Sequence, residues 1–328
     1  MKAALLYEKE DVRIVDIPTP SVGPTDILIR VRAAKICPTD IRKYKLGSKD
    51  ARIQSLPTNL CHEYTGEIVD KGELVQRYDK GMRVVGYGFG GNAEYAKVNI
   101  LQDYPYYFES IVELPPNVSF EEGTFVTPLA ENIHSVVDQA GCRFGDTIII
   151  IGSGPMGLMQ VNVAHWCGAR VIAVDLDDSR LEIAKEFGAD YTINPSNANV
   201  VEYVKKFNDG KLADCSVATV GVPSAIKQAI DATKVGGRVV LFGGAEAGTS
   251  MLFDPNDVHY YERMVVGCEG IGLAPNFHVE KRLQAVRHIA DHKIDVKRLM
   301  THIIPLEDVA KGYELIEKKQ ALSVVAIP

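Results

Sequence analysis

Hydrophobic and polar positions fall into two regimes along the chain. Up to about residue 100, short runs rich in Val, Ile, Leu and Tyr alternate with polar residues and are cut by turn formers. The alternation predicts strands at 2–6, 12–16, 26–34, 65–70, 82–85 and 93–98. Pro18, Pro20, Gly23, Pro24, Gly72 and Gly81 divide them. A helix is expected after Cys37, capped by Thr39 or Asp40. From residue 145 the pattern changes. Thr147 to Ile151 is β-branched throughout, which suits a strand buried on both faces of a parallel sheet. An apolar helical pattern then runs to Cys167, with Gly168 placed to end it. Further strands are expected at 170–174, 191–193, 214–220, 237–242 and 264–268. Helices are expected from a cap near Asp178 or Ser179 to Phe187, and at 200–207 and 224–233. Strands joined by helical crossovers make a doubly wound sheet. Residues 120–140 and 275–292 read as helices, and 299–328 as strand–helix–strand rejoining the first domain. The expected division is a discontinuous β domain, 1–128 with 272–328, and an α/β domain, 129–271.

Between the first two strands of the α/β half lies Gly152-Ser153-Gly154-Pro155-Met156-Gly157, a G-x-G-x-x-G, and the second strand ends on Asp175. Glycines there permit a tight turn and close backbone approach to a pyrophosphate, whose charge the helix N-terminus holds. An acid at the position of Asp175 accepts from a ribose 2′-hydroxyl and favours NAD over NADP. Arg180 has three readings: pairing with Asp175, covering the ribose, or tolerating a 2′-phosphate. Val220-Gly221 and Phe242-Gly243-Gly244 fall at strand ends, where such sheets bind ligand.

Composition narrows the class. The 328 residues are 46% hydrophobic and 24% charged, with a formal charge of −7. That balance argues against nucleic acid or an anionic membrane as the main partner. No run reaches the length of a membrane span, and MKAALLYEKEDVRIVD becomes charged too early for a signal peptide. The six cysteines are scattered, without a C-x-x-C, as in a cytoplasmic protein.

Three segments ahead of the glycine loop carry metal-binding types: Cys37-Pro38-Thr39-Asp40, Cys61-His62-Glu63 and Thr127-Pro128-Leu129-Ala130-Glu131-Asn132. Thiolate, imidazole and carboxylate are the donors of a catalytic zinc. Thr39 suits proton relay and Asp40 suits holding a histidine tautomer.

On these residues the chain resembles the medium-chain dehydrogenase/reductase superfamily, in its zinc-dependent alcohol and polyol dehydrogenase branch. Cys61-His62-Glu63-Tyr64-Thr65-Gly66 with Gly72, Gly81-Met82-Arg83-Val84, Ala93-Glu94-Tyr95 and Pro128-Leu129 extend the likeness nearly end to end. It implies a GroES-like β-barrel catalytic domain, a Rossmann domain, a cleft between them, and NAD(P)-linked oxidation of a small-molecule alcohol. By carry-over Cys37 and His62 are zinc ligands, Glu63 is a near neighbour that can enter the coordination shell, and Thr39 relays the proton. A homodimer or homotetramer is implied, with the strand near residues 264–269 as a pairing edge.

The sequence departs from the family pattern at four places. Cys61 replaces a glycine, and an extended backbone there points Cys61 and His62 to opposite sides. Thr127 stands where a third ligand is usual; Glu131, one helical turn on, or Glu63 would replace it. Residues 86–91 leave no cysteines for a structural zinc, so one catalytic zinc alone is expected. Arg42 replaces a relay histidine and stays protonated; it is free to meet an anionic substrate or the cofactor phosphates. The aromatic run Tyr104-Pro105-Tyr106-Tyr107-Phe108 reads as a packed connection or a lip over the substrate. The favoured activity is hydride transfer between NAD and a secondary alcohol: a polyol, sugar or hydroxy-amino acid. A zinc-free quinone or enoyl reductase, and a nucleotide-binding redox sensor without turnover, are the alternatives.

Overall fold

The computed structural model describes residues 1–50, 53–88, 90–100, 111–269 and 275–328. The aromatic run 104–108 lies outside them. The chain divides into two units, Met1–Thr127 with Leu273–Pro328, and Pro128–Gly272.

The first unit opens with an antiparallel hairpin, β1 (Lys2–Glu8) and β2 (Asp11–Asp16). Then come β3 (Asp26–Lys35), α1 (Pro38–Leu46), β4 (Glu63–Lys71), β5 (Arg83–Tyr87), β6 (Tyr95–Asn99), β7 (Val112–Glu113) and α2 (Phe120–Gly123). The strands keep the predicted order, each within a few residues of its expected ends. Helix α3 (Val126–Ile133) leads into the second unit and runs on as a π-helical turn, His134–Gln139. That turn is held by its own side chains: His134 Nδ1 meets Asp138 Oδ2 at 2.9 Å and His134 Nε2 meets Gln139 Nε2 at 3.1 Å.

In the second unit β8 (Thr147–Ile151), α4 (Pro155–Trp166), β9 (Arg170–Val174), α5 (Asp178–Glu186), β10 (Tyr191–Ile193), α6 (Val200–Phe207), β11 (Ala213–Ala218), α7 (Pro223–Ala232), β12 (Thr233–Leu241), α8 (Asn256–His259) and β13 (Met264–Gly267) follow in turn. The six-stranded sheet is parallel, ordered β10-β9-β8-β11-β12-β13, so the chain reverses direction beside β8. Its core sets Ile149, Ile151, Ile172 and Val174 against Ala229 and Ile230. Each fully buried Ile contributes about 1.5–3 kcal/mol. Helix α5 begins one residue earlier than predicted, because Asp177 accepts from the Ser179 amide and caps it.

The chain then returns to the first unit as α9 (Pro275–Ala290), β14 (Met300–Pro305), α10 (Val309–Glu317) and β15 (Ser323–Ile327). Strand β3 organises that unit. It pairs antiparallel with β4, with β6 along its first half, and with β15 at its last residues. The long central strand therefore ends, fixed on both sides, one residue before the Ile36–Cys37 turn.

Candidate functional site

The end of β3 is built to present a sulfur. The Ile36 amide donates to the Val324 carbonyl, carrying the sheet register one residue further. Cys37 follows in extended conformation and caps α1 itself: its Sγ accepts from the Thr39 amide at 3.3 Å. Asp40 returns the bond, its Oδ2 accepting from the Cys37 amide at 3.1 Å. Pro38 sits at the first helical position, where the missing N–H costs nothing. The expected caps, Thr39 and Asp40, are therefore the second and third residues of the helix. Thr39 is half-buried beside the sulfur.

His62 meets this turn from the segment before β4. Its Nε2 lies 3.5 Å from Cys37 Sγ, and its Nδ1 faces Asp40 Oδ1 at 3.3 Å. Cys37, Asp40 and His62 place one ligand atom each within 4.8 Å of the others. Burial and the Asp40 carboxylate push the Cys37 thiol above its ordinary range, against the pull of His62. Burial works against charge on His62, yet Cys37 and Asp40 outweigh it and hold the ring well above its usual pKa. Cys61 turns the other way, into the core around Tyr64 and Ile68, where its Sγ donates to the Lys35 and Glu63 carbonyls. Burial pushes that thiol well above its normal range.

Zinc fits the Cys37–His62 pair. A tetrahedral ion about 2.3 Å from sulfur and about 2.0 Å from nitrogen sets the two donors about 3.6 Å apart. Asp40 stands behind the imidazole, where a carboxylate would fix the tautomer of a metal-bound ring. The Thr127 Oγ1, where the family's third donor is expected, is buried without a hydrogen-bond partner. Glu63 does not join the cluster: its carboxylate pairs with Lys35, and both side chains are buried. Glu131 lies on α3 and belongs to the second unit. Burial, against a Ser135 hydrogen bond and with a smaller push from the Glu131 carboxylate, raises the Cys268 thiol to about 12. Arg42 pairs with the buried Asp50 at 3.0 Å.

The glycine loop joins β8 to α4. Gly152 has φ of 102°, open to few residues but glycine, and a Cβ on Gly157 would lie 1.8 Å from the Gly152 carbonyl. Gly154 occupies the N-cap position of α4, followed by Pro155 and Met156 in its first turn. Asp175 Oδ2 accepts from the Ser153 amide at 2.6 Å, and Oδ1 from the Asp177 amide at 2.9 Å. Arg180 turns to Asp177, 3.9 Å away. The loops after β11 and β12 touch, since a Cβ on Gly221 would strike Gly244 and one on Gly243 would strike Val220. Val220 and Phe242 thus stand together at the carboxyl ends of adjacent strands. Two participants escaped the sequence reading. Thr219 Oγ1 donates to the Ile151 carbonyl at 2.7 Å and ties the loop to the neighbouring strand. Lys35 had a signal, a cation at the end of an apolar strand two residues before Cys37.

Comparison with known proteins agrees with this fold. The "Alcohol dehydrogenase GroES-like domain" family matches residues 23–103, and the "Zinc-binding dehydrogenase" family matches 155–286. Sorbitol dehydrogenase 1 of Saccharomyces cerevisiae is 31% identical over 95% of this chain and 93% of its own length. Among solved structures, 2R,3R-butanediol dehydrogenase from Bacillus subtilis is 27% identical with a TM-score of 0.86, covering 100% of this chain and 99% of that one. A candidate zinc-binding dehydrogenase from Sinorhizobium meliloti 1021 bound to NADP is 26% identical with a TM-score of 0.87, at the same coverage. The chain belongs to the zinc-dependent alcohol and polyol dehydrogenase branch of the medium-chain dehydrogenase/reductase superfamily, a family of nicotinamide-linked oxidoreductases.

Proposed function

We propose that the protein oxidises a secondary alcohol to a ketone with NAD as hydride acceptor, on a small polyol, sugar or hydroxy-amino acid. The observation that carries this is the 3.5 Å approach of the Cys37 sulfur and His62 Nε2, with Asp40 behind the ring. Cys37 and His62 would hold a single catalytic zinc. When bound, the metal polarises the alcohol oxygen and lowers its proton affinity. The substrate then gives up its hydroxyl proton and a hydride, two electrons in all, and becomes a ketone. Thr39 is assigned as the hydroxyl that passes the proton towards solvent. Asp40 holds His62 in one orientation, and Asp175 is assigned to the ribose of NAD. Glu131 is the candidate for a third protein donor.

A second copy of the chain is the proposed macromolecular partner. Strand β13 is the edge of its sheet, and Met264 and Val265 are exposed along it beside Tyr260 and Tyr261. Unpaired apolar edges invite strand pairing across a two-fold. Scattered thiols support a cytoplasmic location, and no helix among the described residues is long and apolar enough to cross a membrane.

Thr127 supports a second reading, a zinc-free reductase, since a neutral hydroxyl replaces an anionic donor. One experiment separates the two. NAD reduction is followed against polyols, sugars, threonine and short secondary alcohols, before and after chelation and with zinc restored. Turnover that chelation abolishes and zinc restores supports the dehydrogenase. Substoichiometric metal with turnover unchanged by chelation rejects it.

A further inference from the structure

Lys35 is a buried cation that the proposed chemistry does not use. It is the last residue of β3 and lies directly opposite Glu63, the first residue of β4, in the antiparallel register. Opposed residues of such a pair project from one face, and the Lys35 Nζ meets Glu63 Oε2 in a salt bridge with both side chains about 5% exposed. Neither backbone can shift easily: Lys35 is also registered with Val325 of β15, and Glu63 with Tyr87 of β5. The Phe125 ring lies 5.3 Å from the ammonium and closes another side. Burial opposes the charge of Lys35, but the pull of Glu63, with Cys37 and Asp40 nearby, outweighs it and holds its pKa above normal.

A carboxylate next to a metal-binding histidine ordinarily has two fates: to bind the ion, or to be held by another cation. Drawing Glu63 onto the metal would leave the Lys35 ammonium buried without its partner, which is strongly unfavourable. We propose that Lys35 is a positioning residue that keeps the Glu63 carboxylate out of the metal's coordination shell. This rests on the metal reading above. Its consequence is electrostatic. A divalent ion held by one thiolate and a neutral imidazole keeps a net positive charge, and each carboxylate that joins lowers that charge by one unit. Holding Glu63 back preserves the charge that favours alkoxide formation and makes the ion more exchangeable.

The test uses the full chain loaded with cobalt(II) or zinc in three forms: wild type, K35M and K35M/E63Q. Freed from its cation, Glu63 in K35M is expected to join the metal. Chelator competition should then show zinc held about tenfold more tightly, and the visible cobalt bands should shift. The double variant removes both charges together, which a fold tolerates better than losing one partner. It should bind metal as wild type does, with the wild-type cobalt spectrum. A folded K35M with unchanged affinity and spectrum overturns the proposal, and so does a double variant that loses metal as if a ligand had gone. Should K35M not fold, the double variant decides alone. A wild-type protein lacking a sulfur-to-cobalt charge-transfer band rejects the metal reading itself, an outcome distinct from either.

Discussion

The Ser153 amide donates to the Asp175 carboxylate across 2.6 Å, from the middle of the glycine loop to the end of the neighbouring strand. The acid is thus part of the loop's own scaffold as well as the proposed partner of the ribose. With the Asp177 amide on its other oxygen, it is fixed before any cofactor arrives. Asp175→Ala should weaken NADH binding about tenfold to a hundredfold, the range of a hydrogen bond to a charged group. NADPH affinity should fall less or improve, because a carboxylate repels a 2′-phosphate. Fluorescence titration with both nucleotides checks this. An equal loss for both would mean that Asp175 acts only as scaffold.

Gly157 tests the loop from the other side. Its Cα passes so near the Gly152 carbonyl that an added methyl would sit 1.8 Å from the oxygen. Gly152 cannot retreat easily, since its amide donates to the Val174 carbonyl at 2.7 Å and its carbonyl accepts from Thr219 Oγ1 at 3.1 Å. Gly157→Ala should therefore force α4 off β8, lower the melting temperature by several degrees (about 1–3 kcal/mol of overpacking) and abolish measurable NADH binding. A variant with the wild-type dissociation constant would show that the loop relaxes freely.

The nucleotide half was legible because its signals are local. A β-branched run, a glycine loop and a terminal acid lie within one stretch, and the helix and strand periods differ plainly. The candidate metal site was legible in its residue types but less so in its arrangement. Cys37 was readable as a candidate ligand and not as the cap of α1, because cysteine is not among the favoured capping residues; its sulfur takes that place with Asp40 completing the reciprocal bond. Lys35 reads in sequence as the polar end of a strand. What makes it important is the register of β3 on β4, which opposes it to Glu63, and register is a tertiary property. Asp177 capping α5 in place of Asp178 or Ser179 is the ordinary uncertainty of one residue at a helix end.

Acid stability should depend on His288. Burial and the Lys293 charge, against Asp291, lower its pKa to about 4. In the unfolded chain the ring titrates near its ordinary value of about 6.5. Between these values the unfolded state binds the extra proton, so stability is complete above about pH 6.5 and drains away as pH falls towards about 4. Full linkage would be about 3 kcal/mol; solvent screening of a partly exposed ring reduces it to about 1–2 kcal/mol. Denaturant midpoints taken across this window in excess chelator, so that metal loss plays no part, should fall for wild type and fall less for His288→Gln. Parallel curves would place the acid sensitivity elsewhere.

Cys37→Ser separates metal binding from folding more cleanly than a ligand mutation usually allows. The sulfur has a second role as the N-cap of α1, accepting from the Thr39 amide. Serine is a better cap than cysteine, so the helix start and the Asp40 bond to the backbone should survive. What is lost is the soft, ionisable donor, and neutral serine replaces thiolate poorly towards zinc. The variant should keep the wild-type melting temperature in chelator to within a few degrees and bind NADH normally. Its zinc content should fall to a small fraction of an equivalent, and alcohol oxidation should drop by about a thousandfold or more, the scale of losing several kcal/mol of metal-dependent stabilisation. Metal analysis, nucleotide titration and turnover on one preparation check all three. Normal zinc content with normal turnover would remove Cys37 from the metal, and normal zinc without turnover would give the sulfur a role beyond holding the ion.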